Sequence, residues 1–219
     1  MKPRAVVFDA YGTLFNVHTV VTHGRDIDGD IRALSVLWRQ RQLEYTWLRS
    51  LMDRYEDFWS ITEAALRSAA RHLQIAIDDA GIDRLMKAYL FPTAFEDVKP
   101  ALKSLKGVPL VILSNGSQKM LDSAVHHNGL ESFFTDLISV DRVRIYKPSP
   151  RAYSLGTESL RLAASDILFV SSNSWDGSGA KAYGYTVCWC NRQNQEGEFL
   201  EGKPDLTVTR LDHIADLIG

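Results

Sequence analysis

Six short apolar runs, each closed by loop residues, restrict what this chain can fold into. They read AVVF (5–8), PLVILS (109–114), DLISV (136–140), DILFV (166–170), YTVCW (185–189) and DLTV (205–208). Short, β-rich runs of this kind are strand signals. Between them lie patterns with helical spacing: SQKMLDSAVHHNG (117–129), SPRAYSLGTESLR (149–161) and WDGSGAKAYG (175–184). Gly129 and Gly184 stand where helix C-termini are expected. Alternating strands and helices predict an α/β fold, a Rossmann-like parallel sheet with helices on both faces.

Residues 16–92 break this rhythm and read as helical throughout. LSVLWRQRQLEYTWLRSLMDRY places Leu34, Leu37, Leu48, Leu51 and Tyr55 at three- and four-residue spacings. The stretch is rich in aromatic residues: Trp38, Tyr45, Trp47, Tyr55, Phe58 and Trp59. The expected organisation is a Rossmann-like core, 1–15 and 93–219, with a helical cap, 16–92, inserted after the first strand. One continuous mixed domain is the alternative. A chain of 219 residues can bury a core without disulfide staples. Its net charge of −2 gives no electrostatic case for nucleic acid or an anionic membrane. No apolar run is long enough to span a bilayer. Directly after MKPRAVVF, Asp9 interrupts the apolar run too early for a signal peptide. Cys188 and Cys190 form a lone C-x-C within an alternating strand pattern. A disulfide across one residue would be strained, so reduced thiols and a cytoplasmic location are expected.

In an open parallel sheet, ligands bind beyond the carboxyl ends of the strands. Asp9 and Thr13 stand at the first such end, Ser114 and Asn115 at the second, and Lys147 beyond the third. Ser171, Asn173 and Asp176 follow the fourth. Turns are polar anyway, but four polar strand ends converging on one face mark a site.

These segments resemble the haloacid dehalogenase superfamily, in its L-2-haloacid dehalogenase subfamily. The nucleophile motif D-x-x-x-T reads Asp9-Ala10-Tyr11-Gly12-Thr13, and the strand-end Ser or Thr is Ser114 in ILSNG. The motif lysine is Lys147 in YKPSP, and SSNSWD stands in the place of the acidic cluster. Phosphatase relatives carry D-x-D and a second acidic pair to hold magnesium, a hard cation that takes several oxygen ligands. Here Tyr11 replaces the second Asp, and Ser172 stands four residues before Asp176. A halide leaves as a stable anion and needs no general acid, so this pattern fits metal-free dehalogenation with no cofactor. WRQRQLEYTWLRSLMDRYEDFW (38–59), VSSNSWD and FDAYGTLF are similar to the same subfamily.

The resemblance implies that Asp9 attacks the halogen-bearing carbon of a short L-2-haloacid, forming an ester that water cleaves at the carboxyl carbon. Inversion at the substrate carbon then yields a D-2-hydroxyacid. Lys147 would keep Asp9 ionised, unless it is a solvated surface lysine. Arg39, Asn115 and the edge of Trp175 would meet the departing halide; Arg41, two residues on, would point elsewhere. Ser114, Asn115 and the backbone around Gly12 would bind the substrate carboxylate, although SNGS also suits a turn. Asp176 would activate water, oriented by Lys147, Ser171 and Asn173; a helix cap is the plainer role. Thr13 would orient Asp9 or stabilise the loop. Tyr153 matches a family active-site tyrosine or is packing. Tyr11, Leu43, Phe58 and Trp175 would wall the pocket, or belong to the core. His126 and His127 read as surface residues, and the acidic stretch 23–30 as a solvated loop. The partners implied are a small haloacid and a second copy in a homodimer. A magnesium-dependent phosphatase or phosphomutase, and a non-catalytic binding module, are the rival readings.

Overall fold

A computed structural model describes residues 2–24 and 26–218. The chain opens with β1 (Ala5–Phe8) and β2 (Phe15–Asn16), then a 3-10 segment (Val17–Gly24). Helices α1 (Ile31–Leu51), α2 (Phe58–His72) and α3 (Asp79–Ala88) follow, then β3 (Thr93–Ala94) and α4 (Val98–Ser104). The remainder alternates: β4 (Leu110–Ser114), α5 (Gln118–His127), β5 (Asp136–Ser139), α6 (Pro150–Leu160), β6 (Ile167–Ser171), α7 (Ser174–Tyr183), β7 (Thr186–Cys190), β8 (Leu206–Val208) and α8 (Ile214–Ile218).

Six strands pair in parallel in the order β5-β4-β1-β6-β7-β8, so each expected run becomes a strand of one sheet. Every residue of β1, β4 and β6 is buried, which a parallel sheet achieves with flanking helices on its faces. Each such aliphatic or aromatic side chain contributes about 1.5–3 kcal/mol on burial. Strand ends shift slightly from expectation. Ser171 joins β6 because it pairs in register with Trp189. Helix α7 ends on Gly184 at φ +109°, and Gly129, just past the end of α5, has φ +60°. Both are left-handed positions that glycine takes without a Cβ clash. The chain lays β4 and then β5 to one side of β1 and returns with β6 on the other. The crevice beyond the end of β1 is therefore a topological switch point.

The segment between β1 and α4 is helical in its middle but not at its ends. Strands β2 and β3 form an antiparallel ribbon, Phe15 opposite Ala94 and Asn16 opposite Thr93. Two residues per strand leave no periodicity to read. Val17, Thr19, Val20, Val21 and Thr22 then make a β-branched run, which an α-helix disfavours. Asp30, Asp57 and Asp78 cap α1, α2 and α3, each accepting from backbone N–H groups of the first turn; such caps contribute about 1 kcal/mol each.

The expected leucine stripe on α1 is only half right. Leu34 is buried, but Leu48 and Leu51 are 44% and 84% exposed. The buried face instead runs Leu34, Ser35, Trp38, Gln42 and Thr46. Polar residues on an inward face need internal partners: Trp38 Nε1 donates to Thr62 O and Gln42 Nε2 to Thr62 Oγ1 in α2, Ser35 meets His18 Nδ1 in the 3-10 segment, and Thr46 donates to Leu43 O within α1.

No helix among the described residues is long and apolar enough to cross a membrane.

Candidate active site

The parallel register carries Asp9 to the mouth of the switch point. Asp9 N donates to Val170 O at 2.9 Å, extending the β1–β6 ladder by one step. The next residues of the two strands, Asp9 and Ser171, thus come side by side. Asp9 is 7% exposed, and its carboxylate is surrounded by donors. Thr13 Oγ1 lies 2.8 Å and Asn173 Nδ2 2.9 Å from Oδ2, with Ser171 Oγ at 3.5 Å. Lys147 Nζ sits 3.1 Å from Oδ1. Thr13 in turn accepts from Ser172 N at 2.8 Å, which ties the loop after β1 to the loop after β6.

Lys147 is 1% exposed, far from the solvated lysine that was its alternative. Burying an ammonium ion costs several kcal/mol. The cost is offset by a second carboxylate, Asp176 Oδ2 at 3.0 Å, on its other side. Burial works against the charge on Lys147, but Asp176 and Asp9 outweigh it and hold its pKa above the ordinary value. One ammonium is shared by two buried carboxylates, so the second is less acidic than usual. Burial pushes Asp176 up to about 6; Lys147 opposes the rise and the charge of Asp9 adds to it.

Of the three partners expected for Asp176, Lys147 reaches it and the other two do not. Ser171 and Asn173 turn to Asp9, because the strand register places them there. Tyr153 holds Asp176 instead, its hydroxyl donating to Oδ1 at 2.7 Å. Burial and then the charge of Asp176 raise the Tyr153 pKa well above its ordinary value, so the hydroxyl stays a donor. Tyr153 is thus both packed and polar, fully buried against Phe169, Tyr183 and Tyr185. Helix α7 comes so close here that a Cβ at Gly179 would meet Tyr153 Oη at 2.5 Å and Pro148 Cβ at 2.6 Å.

Beyond β4, Ser114 Oγ accepts from Gly116 N and Asn115 Oδ1 from Lys147 N, each at 3.0 Å. Asn115 therefore turns its NH₂ away from Lys147 N. Gly12 has φ +91°, and a Cβ there would stand 3.6 Å from Asn173 Oδ1. Tyr11 stacks on Phe58 at 6.0 Å and touches Phe15 and Tyr89. A cavity of about 530 Å³ is lined by Gly12, His18, Arg39, Leu43, Asn173, Trp175 and Arg192, among others. Trp175 packs edge-on to Trp47, and the Nε1 of each is buried without a hydrogen-bond partner among the described residues.

The fold family's metal finds little to hold it here. Where a second carboxylate would stand, Tyr11 presents a buried hydroxyl among aromatic rings, with no partner among the described residues. The Lys147 ammonium already occupies the space between Asp9 and Asp176. Among the described residues, no three His, Cys, Asp or Glu side chains gather into a cation-binding group. The residues present do not fit a divalent ion.

Of the expected site residues, Gly12, Arg39, Leu43, Asn173 and Trp175 line the cavity, and Asp9, Thr13, Lys147, Tyr153, Ser171, Asn173 and Asp176 share one hydrogen-bonded network. Others were not foreseen. Gln42, Thr62 and Tyr89 form a hydrogen-bonded group behind Arg39. Arg192 pairs with Asp97 at 2.9 Å and donates to Thr13 O at 2.8 Å, bracing the D-x-x-x-T loop from behind. Gln42 lies one helical turn from Arg39, a spacing that was readable; Arg192 and Asp97 are 95 residues apart and carry no local signal. His126 and His127 are exposed, Asp26 pairs with Arg84, and Asp28 is exposed; Arg25 of that stretch lies outside the described residues.

A buried strand-end carboxylate paired with a lysine at a switch point is chemistry that suits a hydrolase working through a covalent carboxylate ester. Residues 3–184 match the family of haloacid dehalogenase-like hydrolases, to which this chain belongs. It is 46% identical to the (S)-2-haloacid dehalogenase of Pseudomonas sp. strain YL over 217 residues, 98% of this chain and 94% of that one. It is also 46% identical to haloacetate dehalogenase H-2 of Moraxella sp. strain B, covering 100% of this chain and 99% of that one. The L-2-haloacid dehalogenase of Xanthobacter autotrophicus, solved with chloropropionic acid covalently bound, superposes with a TM-score of 0.94 at 36% identity, covering 100% and 98% of the two chains.

Proposed function

We propose that this protein hydrolyses short L-2-haloalkanoic acids to D-2-hydroxyacids through an ester on Asp9, without a metal ion. The observation that carries this reading is the Lys147 ammonium held between Asp9 and Asp176, with Tyr11 in the place of a metal-binding carboxylate. The similarity to haloacid dehalogenases over nearly the whole chain supports it.

An Asp9 carboxylate oxygen attacks the substrate C2 from the side opposite the halogen. The C–O bond forms as the C–halogen bond breaks, and the halide leaves with the bonding pair. Thr13, Asn173 and Lys147 hold the carboxylate in one orientation, so little freedom is lost on reaching the transition state. Arg39, with Asn115 and Trp175, meets the halide. Ser114, Asn115 and the N–H groups around Gly12 hold the substrate carboxylate. Water then attacks the ester carboxyl carbon, giving its proton to Asp176. The bond from that carbon to the alkyl oxygen breaks, and the alkoxide takes the proton back from Asp176. The inversion made in the first step is kept. Residues 16–92 act as a cap over the well, with Leu43 and Phe58 in its wall. The apolar end of α1, with Leu48, Leu51 and Met52 exposed, is the face on which we place a homodimer contact. Two buried free thiols, Cys188 and Cys190, suit a cytoplasmic enzyme.

The test is chloride release from L-2-chloropropionate in excess EDTA, joined to one turnover in heavy-oxygen water. Expected are undiminished release, D-lactate as product, and heavy oxygen on Asp9 rather than on the first-turnover lactate. Loss of activity in EDTA, or heavy oxygen found only in the lactate, would overturn the reading.

A further inference from the structure

Six arginines among the described residues are withdrawn from full exposure, and five of them pair with a carboxylate. Arg41 pairs with Glu44, Arg49 with Glu56, Arg67 with Glu63, Arg84 with Asp26 and Arg192 with Asp97. Arg39 does not. Its Nη1 donates to the amide oxygen of Gln42 at 2.6 Å, and its Nη2 to the backbone oxygen of Tyr11 at 3.3 Å. Both acceptors are neutral. A withdrawn cation without a counter-ion is costly unless something is meant to meet it.

Gln42 is 0% exposed, and its amide has one way round. Thr62 Oγ1 gives its proton to Phe58 O at 2.5 Å, which leaves it an acceptor for Gln42 Nε2 at 2.6 Å. The amide oxygen therefore faces Arg39, and Tyr89 donates to that same oxygen at 3.1 Å. A chain of hydrogen bonds from the α2 backbone thus aims one neutral acceptor at the guanidinium.

We propose that Gln42 is a positioning residue that locks Arg39 over the site while leaving its positive charge uncompensated, and so available to the departing halide. A glutamate would hold the arginine equally well and cancel the charge. The inference rests on the reading of Arg39 as the halide partner, and the experiment separates the two.

Gln42→Glu keeps the shape and adds the missing counter-charge; Gln42→Met keeps the charge and removes the tether. Ester formation and ester hydrolysis are measured separately by rapid-quench single turnover on L-2-chloropropionate, with sodium bromide as a halide inhibitor. In Q42E, ester formation is expected to fall about 10²-fold, the loss typical of removing one transition-state donor. Bromide inhibition weakens, and ester hydrolysis is unchanged. In Q42M, bromide inhibition survives while ester formation falls. A residue that served folding alone would slow both half-reactions together, or neither. A folded Q42E with native ester formation and bromide inhibition overturns the proposal. Should Q42E not fold, Thr62→Val carries the same test by freeing the amide to turn its NH₂ toward Arg39. Selective loss of ester formation supports the proposal; native ester formation overturns it. Arg39→Met is the control on the underlying reading. If R39M keeps bromide inhibition and ester formation, the halide role of Arg39 fails, and this inference with it. If R39M loses both while Q42E keeps them, only the role of Gln42 fails.

Discussion

Lys147 from the turn before α6 and Arg39 from α1 are both withdrawn from full exposure, but they are partnered in opposite ways. Lys147 touches two carboxylates; Arg39 touches an amide and a carbonyl. On the proposed reading, the sheet side holds groups that must stay fixed in place through a whole covalent cycle, and ion pairs with short hydrogen bonds do that. On the same reading, the helical side meets a charge that exists only after the carbon–halogen bond starts to break. A cation already neutralised would have little left to offer it. Fixed charge is best paired, and charge kept for a transient anion is best left unpaired.

The contrast can be broken most severely at the floor. Asp9→Asn removes the nucleophile, and halide release from L-2-chloropropionate is expected to fall at least about 10⁴-fold, with the fold intact by circular dichroism. Lys147→Met removes the shared cation and leaves two buried carboxylates facing each other. Unfolding in urea at neutral pH should show a loss of about 3–5 kcal/mol, together with near-total loss of ester formation. A stable, active K147M would show that the sheet side does not depend on paired charge.

The pH dependence sharpens the comparison. Asp176 must be ionised to take a proton from water, and its pKa is pushed up to about 6. In the ester the Asp9 charge that adds to this rise is gone, so ester hydrolysis should be constant at and above about pH 6 and fall only below it. Tyr153→Phe deletes a hydrogen bond that favours the ionised form, so the acid limb should move to higher pH. Pre-steady-state hydrolysis of the ester measures this, and an unmoved limb would mean that Tyr153 does not tune the base. The smallest effect belongs to the wall. Tyr11→Phe removes a buried hydroxyl without a partner among the described residues, so thermal stability should change by no more than about 1 kcal/mol, toward greater stability.

Strand–helix alternation and the strand-end polar residues made the sheet and its charged well legible in the sequence. Asp9, Lys147 and Asp176 are each announced by a local pattern: an apolar run ending in Asp, a Lys-Pro after a strand, an Asp in the first turn of a helix. Which side chain faces which was less legible. Ser171 and Asn173 belong to Asp9 rather than Asp176 because strand register decides it, and register is not written in either strand alone. The inward face of α1 was misread for another reason. An apolar stripe is the usual sign of burial, but here Gln42 and Thr46 go inside while Leu48 and Leu51 stay out. The β2–β3 ribbon and the Arg192–Asp97 brace rest on contacts between distant parts of the chain, which no local window contains.

Tyr153 reaches Asp176 only because α7 carries bare backbone where the ring passes. An alanine in the interior of an exposed helix ordinarily stabilises it by about 1 kcal/mol over glycine, and a thermostability campaign would select Gly179 early. At this position the added methyl would collide with the phenol oxygen. The engineered chain would have to retract either the tyrosine or the helix, giving up the proton acceptor's alignment in return for a firmer α7.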